Sequence, residues 1–382
     1  MVLVARTLGP HGYGAYVAAL ATASFFTPLA CFGSPAVVLR DGSRAPDALP
    51  GLLATAARTW RRGALMFGIL AAITVALVLR KRLGQSVALY TAVGAMVMAE
   101  VASNSVSELL AREAQALRRF HRYGAVQFGQ VALRLLALLV FLLLPAHPLA
   151  QWIALYASAG AVYVLLSARL LKTGPSVEGA PSPPPALRLL REGVPFAIGA
   201  LTFRLQLEFN KPVLAALGFA TVGVFGAAQR VVDLASIPLV AMQEALWPRL
   251  FGGRARALQV AGACALIALL ALAGGVALLA LAPLLPRLLG QQFQPAVRVL
   301  QLLAWLPLVQ FARNFANAML IAAGRASRLT PVFVSSALFS VCATVYLVGR
   351  SGLNGAILAL YATEGFMVAL LTLAYAAGRS RR

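Results

Sequence analysis

Two uninterrupted apolar runs, at residues 63–79 and 260–285, set the terms on which this chain can fold. Each is long enough to cross a hydrocarbon core of about 30 Å. No water is available there, so backbone N–H and C=O groups must be satisfied internally, which a helix does within one segment. Comparable stretches recur along all 382 residues: 60% are hydrophobic, 12% are charged, and the mean hydropathy is +0.82. The fold class is therefore all-α polytopic membrane protein. A formal charge of +22 points to nucleic acid in a soluble chain. Here cationic loops on one face of a bilayer account for most of it, and no nucleic-acid partner is implied.

The apolar pattern predicts eleven spans, near residues 16–33, 63–79, 87–106, 125–144, 153–170, 193–216, 222–245, 258–281, 300–323, 331–348 and 355–375. Pro28 is expected to kink the first. The one extended linker is KTGPSVEGAPSPPP, whose Pro, Gly and Ser content favours an open, flexible connection. It divides the chain into an N-terminal bundle (1–172), a linker (173–186) and a C-terminal bundle (187–382). Cations at 40–62, 112–122, 169–191, 249–256, 325–328 and 379–382 fall on one side, the cytoplasm, together with the C-terminus. The triplet Arg80, Lys81 and Arg82 falls on the other side, against the rule.

An internal repeat accounts for the odd number of spans. Leu8, Gly9, Gly14, Ala18 and Ala19 recur as Leu217, Gly218, Gly223, Ala227 and Ala228, each 209 residues on, and Ala36/Ala245 and Arg40/Arg249 extend the match. At that offset the span at 193–216 has no counterpart, because its partner positions fall mostly before Met1. The expectation is two six-helix bundles related by a pseudo-two-fold along the membrane normal, with the opening helix of the first mostly missing from this chain. A site is expected between the halves.

Charge inside the spans marks where that site should be. Residues 204–249 carry Arg204, Glu208 and Lys211 at i, i+4 and i+7, one face of a helix, and Arg230 with Asp233 at i, i+3 on the next. Each charge costs roughly 2.5–3.5 kcal/mol at mid-bilayer unless it meets a partner or a watery cavity. Glu208 pairs fully with only one of its neighbours, which leaves a net positive strip. Snorkelling or helix-locking ion pairs are the plainer reading of any single residue. Two amide-bearing stripes also sit at helical spacing: Gln127, Gln130 and Arg134, and then Gln310, Arg313, Asn314 and Asn317. They suit a hydroxyl-rich ligand, and serve equally well to join helices. Glu100 with Asn104, and Glu364, read as packing or mouth residues.

Other chemistry finds little support. Cys31, Cys264 and Cys342 lie far apart in apolar runs and read as buried packing residues. His11, His121 and His147 have no companions for metal or acid–base work, so no cofactor or metal is implied. A membrane glycosyltransferase, ligase or polymerase would want a long outward loop with catalytic residues, and the outward connections are all short.

The stretch ARTLGPHGYGAYVAAL resembles the segment after the first helix of bacterial polysaccharide flippases of the Wzx type, in the MOP superfamily with the lipid II flippase MurJ and the MATE exporters. LLGQQFQPAVRVLQLLAW, LIAAGRASRLTP and SGLNGAILALYATEGF resemble its second half, although Ser335 and Ser336 stand where an Asn is often found. The resemblance implies alternating access between two bundles in the bacterial inner membrane. The cargo would be an undecaprenyl-pyrophosphate-linked oligosaccharide flipped outward, with polysaccharide polymerase and ligase machinery as partners besides membrane lipid. A diphosphate needs cations in a low-dielectric cavity, which Arg204, Lys211 and Arg230 offer. The alternative is a MATE-type cation-coupled antiporter of drugs or metabolites. That would want acidic residues unbalanced by cations, whereas Glu208 and Asp233 each have cationic neighbours.

Overall fold

The computed structural model describes residues 2–80, 87–172, 185–251 and 257–377, and all regular structure among them is helical. The linker core (173–184), Lys81 and Arg82, Arg254 and Arg256, and the tail arginines Arg379, Arg381 and Arg382 lie outside the described residues. Contacts gather the chain into two units: Tyr16–Arg204, and Met1–Ala15 with Leu205–Arg382. Residues 187–204, which the expected boundaries put with the second bundle, fall in the unit Tyr16–Arg204 by these contacts.

The helices run α1 (Val2–Ser24), α2 (Thr27–Ala30), α3 (Ser34–Arg44), α4 (Leu49–Leu79), α5 (Val87–Ala116), α6 (Phe120–Leu143), α7 (Leu149–Lys172) and α8 (Ala186–Glu208). After them come α9 (Asn210–Ala215), α10 (Phe219–Phe251), α11 (Ala257–Leu281), α12 (Leu285–Leu289), α13 (Gln294–Leu303), α14 (Leu306–Ala322) and α15 (Leu329–Ala376). Among the described residues seven segments are long and apolar enough to cross a membrane, and the pair α13–α14, bent by 40°, makes an eighth. Three features separate this count from the eleven spans expected. Helix α15 is 48 residues long and breaks at Gly352, so it holds two spans. Helix α8 is long enough but carries Arg188, Arg191, Glu192, Arg204 and Glu208. The first span is cut short at Ser24, because α2 and α3 follow after breaks near Phe25 and Phe32 rather than after one kink at Pro28.

In the unit Tyr16–Arg204, α5 is the centre, packed on α3, α4, α6 and α7. Met96, Val97, Val101, Val106, Leu109 and Ala114 along it have no exposed surface. In the other unit α10 packs on α11, α13 and α14, and α15 packs on α14. Leu239, Ile267, Ala271 and Phe311 form one core there, and Leu320, Val332, Met367 and Leu371 another. Of the three cysteines, only Cys31 is buried. Cys264 is half-buried and Cys342 is exposed, so neither is the buried packing residue expected.

The repeat has a physical basis in this second unit. Gly9 (φ 68°) and Gly218 (φ 152°), equivalent by the 209-residue offset, each end a short helical piece before a longer one. Five residues further on, α1 and α10 cross backbone to backbone. A Cβ at Gly14 would lie 1.7 Å from the Phe219 carbonyl oxygen, and a Cβ at Gly223 would lie 2.0 Å from that of Pro10. Pro10 is the repeat equivalent of Phe219, and Gly14 of Gly223, so the contact maps onto itself under the offset. Side chains are excluded from both sides of this crossing, and only rigid backbone is available to move. Gly14→Val should therefore destabilise the fold by about 3 kcal/mol or more. At Gly124, which has no neighbour within 4 Å, alanine should be neutral or up to ~1 kcal/mol stabilising through helix propensity. Thermal unfolding of the two variants in detergent checks the contrast.

Candidate functional site

The polar groups of the unit Tyr16–Arg204 converge on a cavity of about 450 Å³. Helices α5 and α6 form its long wall. Glu100, Asn104, Ser107, Glu108 and Arg112 lie on α5, and Tyr123, Gln127, Gln130 and Arg134 on α6. Both sets repeat every three or four residues, so each is one helix face. From Glu100 to Arg112 the wall runs about 18 Å along α5, ending near the α5–α6 turn. Thr27 and Arg204 line the cavity as well.

At the deep end, the carboxylate of Glu100 is held from three helices. Asn104 Nδ2 donates to its Oε1 at 2.7 Å, while Arg134 Nη2 (2.6 Å) and Tyr156 Oη (2.9 Å), from α7, donate to its Oε2. Gln130 Nε2 donates to Asn104 Oδ1 at 2.6 Å, and the Arg134 guanidinium lies 4.9 Å above the Tyr156 ring. One turn nearer the mouth, Ser107 donates to Gln127 Oε1 at 2.9 Å, and Arg112 sits 3.9 Å from Glu108. A buried carboxylate needs such saturation, since an unsatisfied one costs several kcal/mol.

Arg204 reaches the cavity because α8 is pinned at its start. Gly33 and Gly193 meet so closely that a Cβ on either would lie 2.0–2.2 Å from the other strand's carbonyl oxygens. Beside them, before the apolar part of α8, Arg40 bonds both Asp41 (2.7 Å) and Glu192, and Arg188 bonds Glu192 at 2.9 Å. Arg204 stands eleven residues beyond Gly193, about 16 Å along the helix. It has no carboxylate within 4.0 Å among the described residues.

The remaining predicted residues lie in the other unit. Glu208 and Lys211 form the expected ion pair across a break at Phe209, and Lys211 is buried. Arg230 and Asp233 pair at 4.0 Å with both side chains about half exposed. The second amide stripe forms a closed cluster. Arg313 Nη1 donates to Glu364 at 2.9 Å, its Nε and Nη2 donate to Asn314 Oδ1, and Asn314 Nδ2 donates to Gln243 Oε1 at 2.9 Å. Gln310 approaches the same carboxylate, and Asn317 Oδ1 is buried without a partner. Tyr156, Thr27 and Gln243 were not visible in the sequence as site residues, because their partners lie on other helices. Glu100 had a signal, its i+4 spacing to Asn104.

A family model described as polysaccharide biosynthesis protein matches residues 1–253. The chain belongs to that family. An inward-facing multidrug resistance MATE family transporter of the MOP superfamily superposes with a TM-score of 0.70 at 17% identity, over 100% of this chain and 92% of that one. The lipid II flippase MurJ, in an inward closed conformation, gives 0.74 at 11% identity, over 97% and 83%. A MOP superfamily transporter from Pyrococcus furiosus, described as having a binding pocket of reverse polarity, gives 0.56 at 16% identity, over 99% and 95%. At these identities the likeness is one of fold, and it is the MATE and MurJ fold that the family resemblance implies. No curated protein matches the chain.

The pin on α8 has a definite pH dependence. Hydrogen bonds from Arg188 and then Arg40 hold the Glu192 carboxyl below the usual carboxylate range. A carboxylate lowered by folding contributes stability that is fully present above its unfolded value of about 4.3 and is lost as pH falls through the folded value. The stability difference between wild type and Glu192→Gln should therefore stay constant from pH 8 to about pH 5, begin to shrink near the unfolded value of about 4.3, and be lost as pH falls through the lowered folded value. Melting curves of the two proteins across that range measure it.

Proposed function

We propose that this protein is a flippase that moves a polyprenyl-diphosphate-linked oligosaccharide from the cytoplasmic to the outer leaflet by alternating access, in surface-polysaccharide assembly. The observation that carries this reading is the cavity of the Tyr16–Arg204 unit. In a chain of a polysaccharide biosynthesis family, three arginines and two carboxylates share one pocket with amides and hydroxyls. Arg204 and the free edge of Arg134 suit a diphosphate, which takes charge-assisted and bidentate contacts. Asn104, Ser107, Gln127, Gln130 and Tyr123 offer the mixed donors and acceptors that sugar hydroxyls need. MurJ is named for a lipid-linked cargo, lipid II, which is the same class of ligand.

In this reading the site centres on Arg134 and Arg204. The MATE neighbours motivate a second reading, export of an organic cation. It is disfavoured by the pairing of Glu100 with Arg134 and of Glu108 with Arg112, which leaves no acid unbalanced. Transport is the reading that the family and the flippase and transporter neighbours support. By the distribution of cationic loops the protein lies in the bacterial inner membrane with its C-terminus in the cytoplasm, where polymerase and ligase machinery would take up its product.

Removing one charge-assisted contact to the diphosphate should weaken its hold roughly ten- to a hundredfold. Arg134→Ala and Arg204→Ala should each abolish surface glycan in a flippase-null strain at matched protein levels. Lysine at either position should restore part of the export, since it keeps the charge and loses the fork. Full export by the double alanine variant would end the diphosphate reading.

A further inference from the structure

Each cation on the α5–α6 wall has its own carboxylate. Arg134 is bonded to Glu100 at 2.6 Å, and Arg112 lies 3.9 Å from Glu108. The two pairs differ in what an incoming anion can do to them. Glu108 and Arg112 are both well exposed, with 48% and 39% of their side chains accessible. Water screens that pair, and either side chain is free to swing aside. Glu100 is 8% exposed and fixed by Asn104, Arg134 and Tyr156, so it cannot leave when a ligand arrives. Arg134 uses only Nη2 in hydrogen bonds, and its Nη1 and Nε remain available at the cavity wall.

We propose that Glu100 is a built-in counter-anion, a specificity-determining residue that holds the cavity's affinity for a diphosphate low enough for the cargo to leave. The proposal rests on the reading that a diphosphate occupies this cavity. A phosphate on the free edge of Arg134 comes within about 6 Å of a charge that cannot move, and like charges at that separation repel strongly when partly shielded from water. The cationic fork attracts the ligand and the fixed carboxylate takes back part of that attraction. A conduit works only when its sites bind well enough to load and weakly enough to unload. Glu100 provides the second condition. It also biases the cavity, since the penalty grows with the ligand's negative charge and disappears for a neutral sugar.

The test is calorimetric titration of the purified full chain in detergent micelles with farnesyl diphosphate and, separately, inorganic pyrophosphate. Glu100→Gln keeps the shape and removes the charge, so it should bind both probes about tenfold more tightly. It should also export less glycan in the null strain, because release slows. Glu100→Asp restores the charge and should restore the low affinity. Melting temperatures of both variants identify any loss of fold. Unchanged or weaker binding by Glu100→Gln, or equally tight binding by Glu100→Asp, overturns the counter-anion role while wild-type binding still supports the diphosphate reading. If wild type and Glu100→Gln both fail to bind either probe, the diphosphate reading falls, and this role with it. Tightening seen with farnesyl diphosphate but not pyrophosphate also overturns the proposal, since it would place the effect on the lipid tail.

Discussion

A carboxylate in the middle of an apolar bundle has to be satisfied from several directions at once, and the packing of the Tyr16–Arg204 unit depends on how that is done. Helix α5 has a mean hydropathy of 1.3 in its most apolar window, the lowest of the seven segments apolar enough to span, yet it is the one its neighbours surround. Its polar residues are therefore turned inward, where only protein can answer them. Glu100 takes donors from α5 itself, α6 and α7, and on another side Trp60 Nε1 reaches Ser105 Oγ at 3.0 Å while Cys31 Sγ bonds the Ser105 carbonyl. Removing one member of a buried pair typically costs about 3–5 kcal/mol, because the other is left charged and unpaired. The polar face thus fixes which helices may lie beside α5 and at what rotation. A purely apolar face would leave both undetermined, since lipid is as good a neighbour as leucine.

Close backbone crossings do the complementary work. In the second unit Gly14 and Gly223 bring α1 and α10 into direct contact, and in the first Gly33 and Gly193 bring α8 against the start of α3. Small residues at helix contacts are how membrane helices associate when hydrophobic burial gives no preference. The Gly14–Gly223 crossing also explains why the repeat survives in the sequence at these positions and fades elsewhere. A contact that maps onto itself constrains both copies in the same way, whereas lipid-facing residues of the two copies are free to differ.

The sequence read well wherever partners were local. The apolar runs gave the helices, and i, i+3 spacing gave the pairs Glu208–Lys211 and Arg230–Asp233. It read poorly wherever partners came from other helices. Arg204, Glu208 and Lys211 formed a single face by spacing, but α8 ends at Glu208 and the helix resumes only at Asn210, while Arg204 lines the α5–α6 cavity. Glu100 and Glu364 read as packing residues because neither has a cation on its own helix at helical spacing. Each turns out to be the counter-charge of an arginine elsewhere in its unit. Nothing in one sequence specifies such a partner, because the distance between the two helices is set by packing rather than by order along the chain.

The two amide stripes show why composition alone could not rank them. Both hold an arginine among amides at helical spacing, and both arginines bond a glutamate at 2.6–2.9 Å. The difference lies in how many donors remain. Arg313 commits Nη1 to Glu364 and both Nε and Nη2 to Asn314, and its side chain is 11% exposed. A guanidinium in that state is a cross-link, with its charge and its directional bonds consumed inside the protein. Arg134 commits one nitrogen, rests its face on Tyr156, and keeps 27% of its side chain accessible at the wall of a cavity. The glutamate is the saturated partner in that pair, and the arginine is the one left with something to offer. Binding capacity in a membrane bundle therefore follows the member of each buried ion pair that is left with unused hydrogen bonds, and only the arrangement across three helices decides which member that is.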